Sequence, residues 1–304
     1  MEYWVMRFLD KYVGIPICFL LHLHDLLITL LHVRKAREPL RKILIIKFWG
    51  IGSIILASPT LKALREAYPE QKIVLLTMDK NKGLYESAGL FDEVIYFKIE
   101  GLWEIAIDFL RLLAVLRKEK FDLILDLEPF CRFSAIVAYL STSPRRISYD
   151  TKNQGRGWLY TEKIAFIDGD HIVKNFLSTL KPLGIEHHSY ELVSIPFSSS
   201  DVKNVDETLS KLGVNEGDVL VGLNVNSSDF AVERRWPKEY FARLADYLVE
   251  NYRLKVVYVG TKADFPLVSE TITFMKHADS AVNLSGKTSL HQLAYLMTRM
   301  KLFI

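Results

Sequence analysis

Cysteine is nearly absent from this sequence, with Cys18 and Cys131 the only two in 304 residues. That excludes a disulfide-stapled scaffold and a zinc module built on cysteine pairs. Glycine and proline are also sparse, at 15 and 10, which excludes a collagen-like or low-complexity chain. Nor does charge of one sign dominate. Thirty-nine Lys and Arg stand against 36 Asp and Glu, a formal +3, so bulk charge gives no argument for a nucleic-acid partner. No short-period repeat is visible. What is there is a globular composition, half hydrophobic and one quarter charged, at a length that suits about two domains.

The mean hydropathy of +0.12 is slightly high for a soluble protein, and the excess sits at the N-terminus. Residues 13–31 read VGIPICFLLHLHDLLITLL, interrupted by Pro16, His22, His24 and Asp25. A spanning helix needs about 20 predominantly apolar residues, and central His and Asp make insertion costly. No small-residue cleavage site follows, which argues against a secretory signal. Arg34, Lys35, Arg37, Arg41 and Lys42 come next, with only Glu38 opposed. An apolar helix beside a basic cluster is what an anionic cytoplasmic leaflet attracts. Residues 1–41 therefore read as an amphipathic, membrane-associating segment, with a true span or a helix docked on the protein's own core as alternatives. His22 and His24 lie at i and i+2, off a common helical face, and make a poor metal pair.

From Lys42 the pattern alternates. KILIIKF (42–48) is a continuous apolar run, as in a strand buried on both faces. Further strands are expected at 72–77, 93–97, 121–128 and 145–149, with helices at 53–68, 102–117, 130–141 and 171–183. Residues 151–169 lack periodicity and read as a long loop. The Pro- and Ser-rich IPFSSSD (195–201) offers a domain boundary and a helix N-cap. The alternation then restarts, with helices at 201–212, 237–251, 264–276 and 288–299 and strands at 218–225, 254–260, 281–284 and 301–304. The expected fold is α/β: two doubly wound, Rossmann-like parallel sheets facing a cleft, over 42–198 and 199–304. A buried strand closing the sequence suggests a second domain that is C-terminally incomplete, and ligand loops in such sheets follow the carboxyl ends of strands.

Gly50-Ile51-Gly52-Ser53 joins the first strand to its helix, where backbone N–H groups and the helix dipole favour an anion. A plain tight turn is the structural alternative. A dinucleotide fingerprint would put a third glycine where Ile55 stands, so a nicotinamide oxidoreductase is disfavoured. Gly286-Lys287-Thr288-Ser289 mimics the end of a Walker loop, but its opening glycine would fall at Ala281, which excludes that motif. It reads instead as a strand-to-helix turn with an N-cap at Thr288 or Ser289. Asp168-Gly169-Asp170 reads as a polar turn rather than a metal-binding acid pair, and His187-His188 as solvent-facing. No metal site is expected.

The strongest local string is NVNSSDFAVERRWPKEYF (224–241). A strand end leads to Asn226, Ser227 and Ser228, then Arg234 and Arg235 precede Trp236-Pro237, which opens a helix. Hydroxyls and guanidinium groups at a strand's carboxyl end suit a diphosphate. A solvated basic loop with a packing tryptophan is the alternative.

Taken in order, ILIIKFWGIGSIILASPTLKALREAYPEQKIVLLT, FDLILDLE, RRWPKEYFARLADYL, VVYVGTKAD and NLSGKTSLHQLAYLM resemble glycosyltransferase family 9 from about Lys42 to Ile304. That is the family of the ADP-heptose:lipopolysaccharide heptosyltransferases. The resemblance implies a GT-B architecture, with the acceptor on the N-terminal domain and a nucleotide-sugar donor on the C-terminal one. It implies inverting, metal-independent transfer of a heptose-like sugar from a nucleotide-diphosphate donor, ADP-linked by analogy, with no resident cofactor. The acceptor would be a lipopolysaccharide core or related envelope glycan, lipid-linked, at the cytoplasmic face of the inner membrane.

Carried over residue by residue, Ser227 and Ser228, beside Asn226, match a small hydroxyl pair on the donor phosphates. Arg234 stands where the family usually has a lysine, which keeps the charge and changes the hydrogen-bond geometry. Gly286, Lys287, Thr288 and Leu290 match the loop bordering the nucleotide base, and Asp264 a usually acidic position. Two departures follow. The family's first glycine turn normally ends Gly-Asp, and that Asp is the proposed base. Here Ser53 takes its place, and a serine of ordinary acidity cannot accept the proton. The family's Asp-Ser-Gly-Pro-x-His donor motif would come after Ile304.

Glu128, near the end of the fourth strand, is the candidate substitute base, with Asp126 as a buried structural acid. Lys47, Gly50, Gly52, Arg132 and Arg145 form the expected acceptor side, the cations suiting a phosphorylated or Kdo-containing core. The rival from another class is a catalytically impaired GT-B scaffold that binds a glycan or partner at the membrane. Ser53 favours that rival and the retained donor-side loop opposes it.

Overall fold

A computed structural model describes residues 8, 10–31, 39–98, 101–152, 154–186, 189–227 and 232–304. Arg34, Lys35, Arg37, Glu38, His187, His188 and Ser228 lie outside them. The chain divides into two compact units, Met1–Ser194 and Ile195–Ile304.

In the first unit β1 (Lys42–Ile46), β2 (Lys72–Met78), β3 (Glu93–Phe97), β4 (Leu123–Asp126), β5 (Arg145–Asp150) and β6 (Glu162–Ala165) form one sheet. Its order is β3-β2-β1-β4-β5-β6, with every pair parallel. Ile43, Leu44, Ile45 and Ile46 of β1 are fully buried. Burying each such side chain stabilises by roughly 1.5–3 kcal/mol, which is why the run KILII is so legible. The helices are α1 (Gly14–Leu31), α2 (Ile51–Ala67), α3 (Leu102–Glu119), α4 (Arg132–Leu140) and α5 (Ile172–Ser178). Leu44, Ile46, Val74, Leu76 and Ile124 turn one sheet face toward Leu112 and Leu116 of α3, Ala135 and Tyr139 of α4, and Cys18 of α1. On α2 the residues from Ala57 to Leu61 are buried, and this helix packs against α5.

Two elements differ from the sequence expectation. The stretch 151–169 contains β6, a four-residue strand of alternating exposure at the sheet edge. A short edge strand of this kind, beginning Glu162-Lys163, carries no apolar run to read, and pairing with β5 recruits it. The expected helix 171–183 stops at Ser178 and resumes only as a 3₁₀ turn, Lys181–Leu183. Pro182 has no N–H to give the Ser178 carbonyl, so the α-helix ends there.

The second unit runs α6 (Ser199–Lys211), β7 (Leu220–Leu223), α7 (Lys238–Tyr252), β8 (Lys255–Tyr258), α8 (Phe265–Thr273), β9 (Ala281–Asn283), α9 (Leu290–Arg299) and β10 (Met300–Phe303). The parallel sheet has the order β10-β7-β8-β9. IPFSSSD does supply a cap: the Ser198 hydroxyl accepts from the Asp201 N–H at 3.2 Å, and the Asp201 carboxylate accepts from the Ser198 N–H at 2.9 Å. Pro237, the expected first helical residue, sits instead at the N-cap of α7, which begins one position later at Lys238.

Candidate active site

In each unit all strands are parallel, so the ligand-competent loops leave at one edge, past the strands' carboxyl ends. In the first unit the turn after β1 lies there. Gly50 caps α2 with φ 79°, a conformation that suits glycine. A Cβ on Gly52 would meet nothing within 4 Å, so the turn is open. Ser53 follows in the first helical turn, half-buried, and its hydroxyl has no hydrogen-bond partner among the described residues.

Beneath this turn is a buried ion pair. Glu128 Oε1 accepts from Lys47 Nζ at 2.7 Å and from the N–H groups of Phe48 and Trp49 at 2.8 and 2.9 Å. Lys47 Nζ also donates to the Trp49 carbonyl at 3.0 Å, and Asn81 Nδ2 to the Phe48 carbonyl at 2.9 Å. Lys47 and Glu128 are only 3 % and 5 % exposed. This geometry bears on two expectations. Three donors converge on one oxygen of Glu128, which ties the β1 turn to the loop after β4. Lys47 Nζ is held by that carboxylate and by the Trp49 carbonyl.

Asp126 is the buried structural acid that the sequence suggests. Its Oδ2 accepts from Arg156 Nη2 at 3.0 Å and from the Tyr160 hydroxyl, and its Oδ1 from the Glu128 N–H at 2.8 Å. Burial pushes this carboxyl above its ordinary pKa, with the Arg156 guanidinium pulling the other way. Arg156 is itself fully buried and also donates to Ser148 Oγ, at 3.2 Å, and to the carbonyls of Cys131 and Tyr149, each at 3.1 Å. It lies in the stretch read as loop. The available signal was its glycine flanks: Gly155 is left-handed, and Gly157 lies against the Asp150 carboxylate.

The other two cations are also committed. Arg132 opens α4 but is 5 % exposed, with its guanidinium on Asp10 at 3.2 Å and on the Gln154 carbonyl at 2.8 Å. Arg145 begins β5, at the amino edge of the sheet, where Glu162 grips it through two bonds of 2.6 and 2.9 Å. The strand direction alone places it away from the acceptor edge, so Arg145 leaves the acceptor set.

In the second unit three loops at the carboxyl edge are laced together. Asn226, after β7, donates through Nδ2 to Asp264 Oδ1. The other oxygen of Asp264 accepts from the Thr261 N–H and hydroxyl at 2.6 and 2.7 Å. Gly286, after β9, donates to the Gly260 carbonyl at 2.9 Å. At φ 72° it leaves no room for a Cβ, which would lie 2.6 Å from Lys262 Cα. Ser289 is the N-cap of α9, accepting from the Gln292 N–H at 3.1 Å, so the cap falls there and not on Thr288. Lys287 is exposed, while Ser227, Thr288 and Leu290 are half-buried.

Asn226 Oδ1, Arg235 Nε and Ser285 Oγ are shielded from solvent and have no hydrogen-bond partner among the described residues. Such groups are costly unless something satisfies them. Arg234 is exposed and Arg235 half-buried, so the second arginine, with Ser285, joins the candidates that the sequence did not single out. Among the described residues no group of three or more His, Cys, Asp or Glu side chains could hold a metal ion.

Two parallel α/β units with open turns and polar loops at their carboxyl edges are the components of the GT-B glycosyltransferase fold. The chain belongs to glycosyltransferase family 9 (heptosyltransferase), whose family model matches residues 109–304. Lipopolysaccharide heptosyltransferase 3 of Escherichia coli strain K12 is 26% identical over 261 residues, 83% of this chain and 73% of that protein. A solved glycosyltransferase family 9 structure from Veillonella parvula DSM 2008 superposes with a TM-score of 0.73 at 24% identity, covering 86% of this chain and 74% of its own. The E. coli ADP-heptose lps heptosyltransferase II structure gives 0.67 at 18%, covering 86% and 78%. At these identities the structural matches establish the fold, and function has to be argued from the site.

Proposed function

We propose that this protein transfers a heptose-like sugar from an ADP-linked or related nucleotide-diphosphate donor to a lipopolysaccharide-core or related envelope glycan, inverting the anomeric centre without a metal. The observation that carries the reading is the laced carboxyl edge of the second unit. Its unpartnered Asn226 Oδ1, Arg235 Nε and Ser285 Oγ match the donor and acceptor groups of a nucleotide sugar. Ser227, Ser228 and Arg234, with the exposed Lys287 side chain and Thr288 of the 286–288 turn, would carry the charge that develops on the leaving diphosphate.

The open turn from Gly50 to Ser53 is the part of the first unit suited to an acceptor hydroxyl. In-line orientation of that hydroxyl lowers the barrier by making the attack effectively unimolecular. With serine at position 53 and Glu128 committed to Lys47, the general-base contribution of about 10²–10⁴ is missing, so turnover rests on orientation and leaving-group stabilisation. The enzyme acts in the cytoplasm, peripherally on the inner face of the membrane that carries a lipid-linked acceptor.

The test is to incubate the full chain with ADP-heptose and heptose-deficient core oligosaccharide. A mass gain of one heptose, with the product's anomeric configuration opposite to the donor's, supports the reading. Calorimetry with ADP-heptose showing no heat would remove the donor side. One observation, Ser53, favours a second reading as a catalytically impaired scaffold. That reading expects glycan binding with no transfer even after Ser53→Asp.

A further inference from the structure

The first helix is turned inside out. Gly14, Cys18, Leu21, His22, Asp25 and Ile28 recur at helical spacing and form its buried or half-buried stripe. Several polar groups around that stripe are bonded to the rest of the first unit. Just ahead of α1, the Asp10 carboxylate accepts from the N–H groups of Arg132 and Phe133 at 2.8 and 2.9 Å, capping α4, whose own N-cap residue, Cys131, makes no side-chain capping bond. Asp25 lies 3.7 Å from the buried Arg146, and His24 Nδ1 is 2.8 Å from the Tyr139 hydroxyl. Gly14 permits the close approach, since a Cβ there would be 3.1 Å from Arg132 Cβ. The opposite face is apolar and open: Phe19, Leu20, Leu23, Leu27 and Leu30 are 49, 63, 42, 60 and 83 % exposed. A helix docked on a soluble core shows the reverse arrangement, and a contiguous apolar strip left in water marks an interaction surface.

We infer that α1 lies in the plane of an anionic membrane surface, apolar face inward, as an interfacial anchor of the first unit and not as a transmembrane span. This rests on the membrane location proposed above and deepens it by naming the surface and the lipid chemistry. Asp10–Leu30 is long and apolar enough to cross a bilayer. Crossing, however, would strip Asp10 from Arg132 and Asp25 from Arg146, leaving buried arginines without counter-charge. Lying flat keeps every one of those bonds.

Charge selects lipid over a second protein. Between Tyr12 and Leu30 the only charged residue is Asp25, which faces inward, and the sequence leaving the helix carries Arg34, Lys35, Arg37 and Arg41 against Glu38 alone, before Lys42 opens β1 and pairs with Glu119. Apolar body and basic flank are the two signals of interfacial attachment.

The experiment is co-sedimentation of the full chain with vesicles of phosphatidylcholine containing 30 % phosphatidylglycerol. Transfer to a soluble, delipidated core acceptor is measured in parallel. The double substitution Leu20→Glu, Leu27→Glu, both on the open face, should lower vesicle binding at least tenfold with melting temperature and soluble transfer unchanged. Pure phosphatidylcholine should bind the native chain at least tenfold less than the anionic mixture, and alkaline carbonate should extract the chain from cell membranes. Unchanged vesicle binding of the Glu variant overturns the inference. So does carbonate resistance, which means a span, or a lipid-independent dimer that the same substitutions dissolve. Absence of soluble transfer by the native chain sinks the proposed reaction and leaves the vesicle result readable by itself.

Discussion

Glu128→Gln separates an anchor from a base, because the two roles predict opposite pairs of results. Glutamine keeps an oxygen where Oε1 now accepts from Lys47 Nζ and the Phe48 and Trp49 N–H groups, but it removes the charge. Lys47, 3 % exposed, is then a buried cation with no counter-ion. Breaking a buried pair from one side costs about 3–5 kcal/mol, and the retained amide oxygen keeps the loss near the lower end. For a unit the size of Met1–Ser194, each kcal/mol moves the midpoint by about 2–4 °C. The melting temperature of the first unit should therefore fall by roughly 6–12 °C. Adding Lys47→Met should recover part of the loss, since it removes the stranded charge. Calorimetric melts give the first number, and initial transfer rates at a temperature where both forms are folded give the second. Those rates should fall less than tenfold. A melting temperature within 1 °C of the native value together with a rate loss of about 10²–10⁴, the usual cost of deleting a general base, would refute the anchor assignment.

Ser53→Asp, at a half-buried first-turn position whose hydroxyl has no partner among the described residues, should raise the transfer rate by about 10²-fold, the low end of a general-base contribution. An unchanged rate in a variant that still binds donor would show that position 53 does not face the acceptor. Gly286→Ala puts a methyl 2.6 Å from Lys262 Cα at φ 72°, so about 1–3 kcal/mol of strain is expected. The readouts are a lower melting temperature and a raised KM for donor with KM for acceptor unmoved. Burial pushes the thiols of Cys18 and Cys131 up to about 11 and about 12, so iodoacetamide at neutral pH should leave native protein unlabelled and label both cysteines in urea. The same shifts have a sign in stability. Unfolded thiols ionise near pH 8.5 (about) while the folded ones keep their protons, so stability should fall as pH rises from there toward about 11 to 12. A Cys18→Ala, Cys131→Ala protein should lose part of that slope.

The sheet framework was legible because β1, β2, β4, β7 and β8 are short runs of aliphatic side chains, and burial on both faces demands such runs. The glycine turns could be read for the same local reason. What could not be read was the use of charge. Lys47, Arg132 and Arg145 look alike in sequence as cations near strand ends, yet Glu128, Asp10 and Glu162 hold them. Those partners sit 81, 122 and 17 positions away, and no local pattern announces a pairing at such separations. Arg156 was invisible for a related reason: its surroundings are assembled from β4, β5 and the turn that carries it, in a segment without periodicity. Arg145 is the exception, since the strand direction already contradicted its place in the set.

The grip of Asp10 on the start of α4 also bears on how the chain is handled. A version trimmed to begin at β1 would leave the amides of Arg132 and Phe133 bare, along with a guanidinium that has lost its carboxylate. The leader is better regarded as a keystone than as a detachable tail, and shortened preparations should be expected to aggregate rather than simply become more soluble.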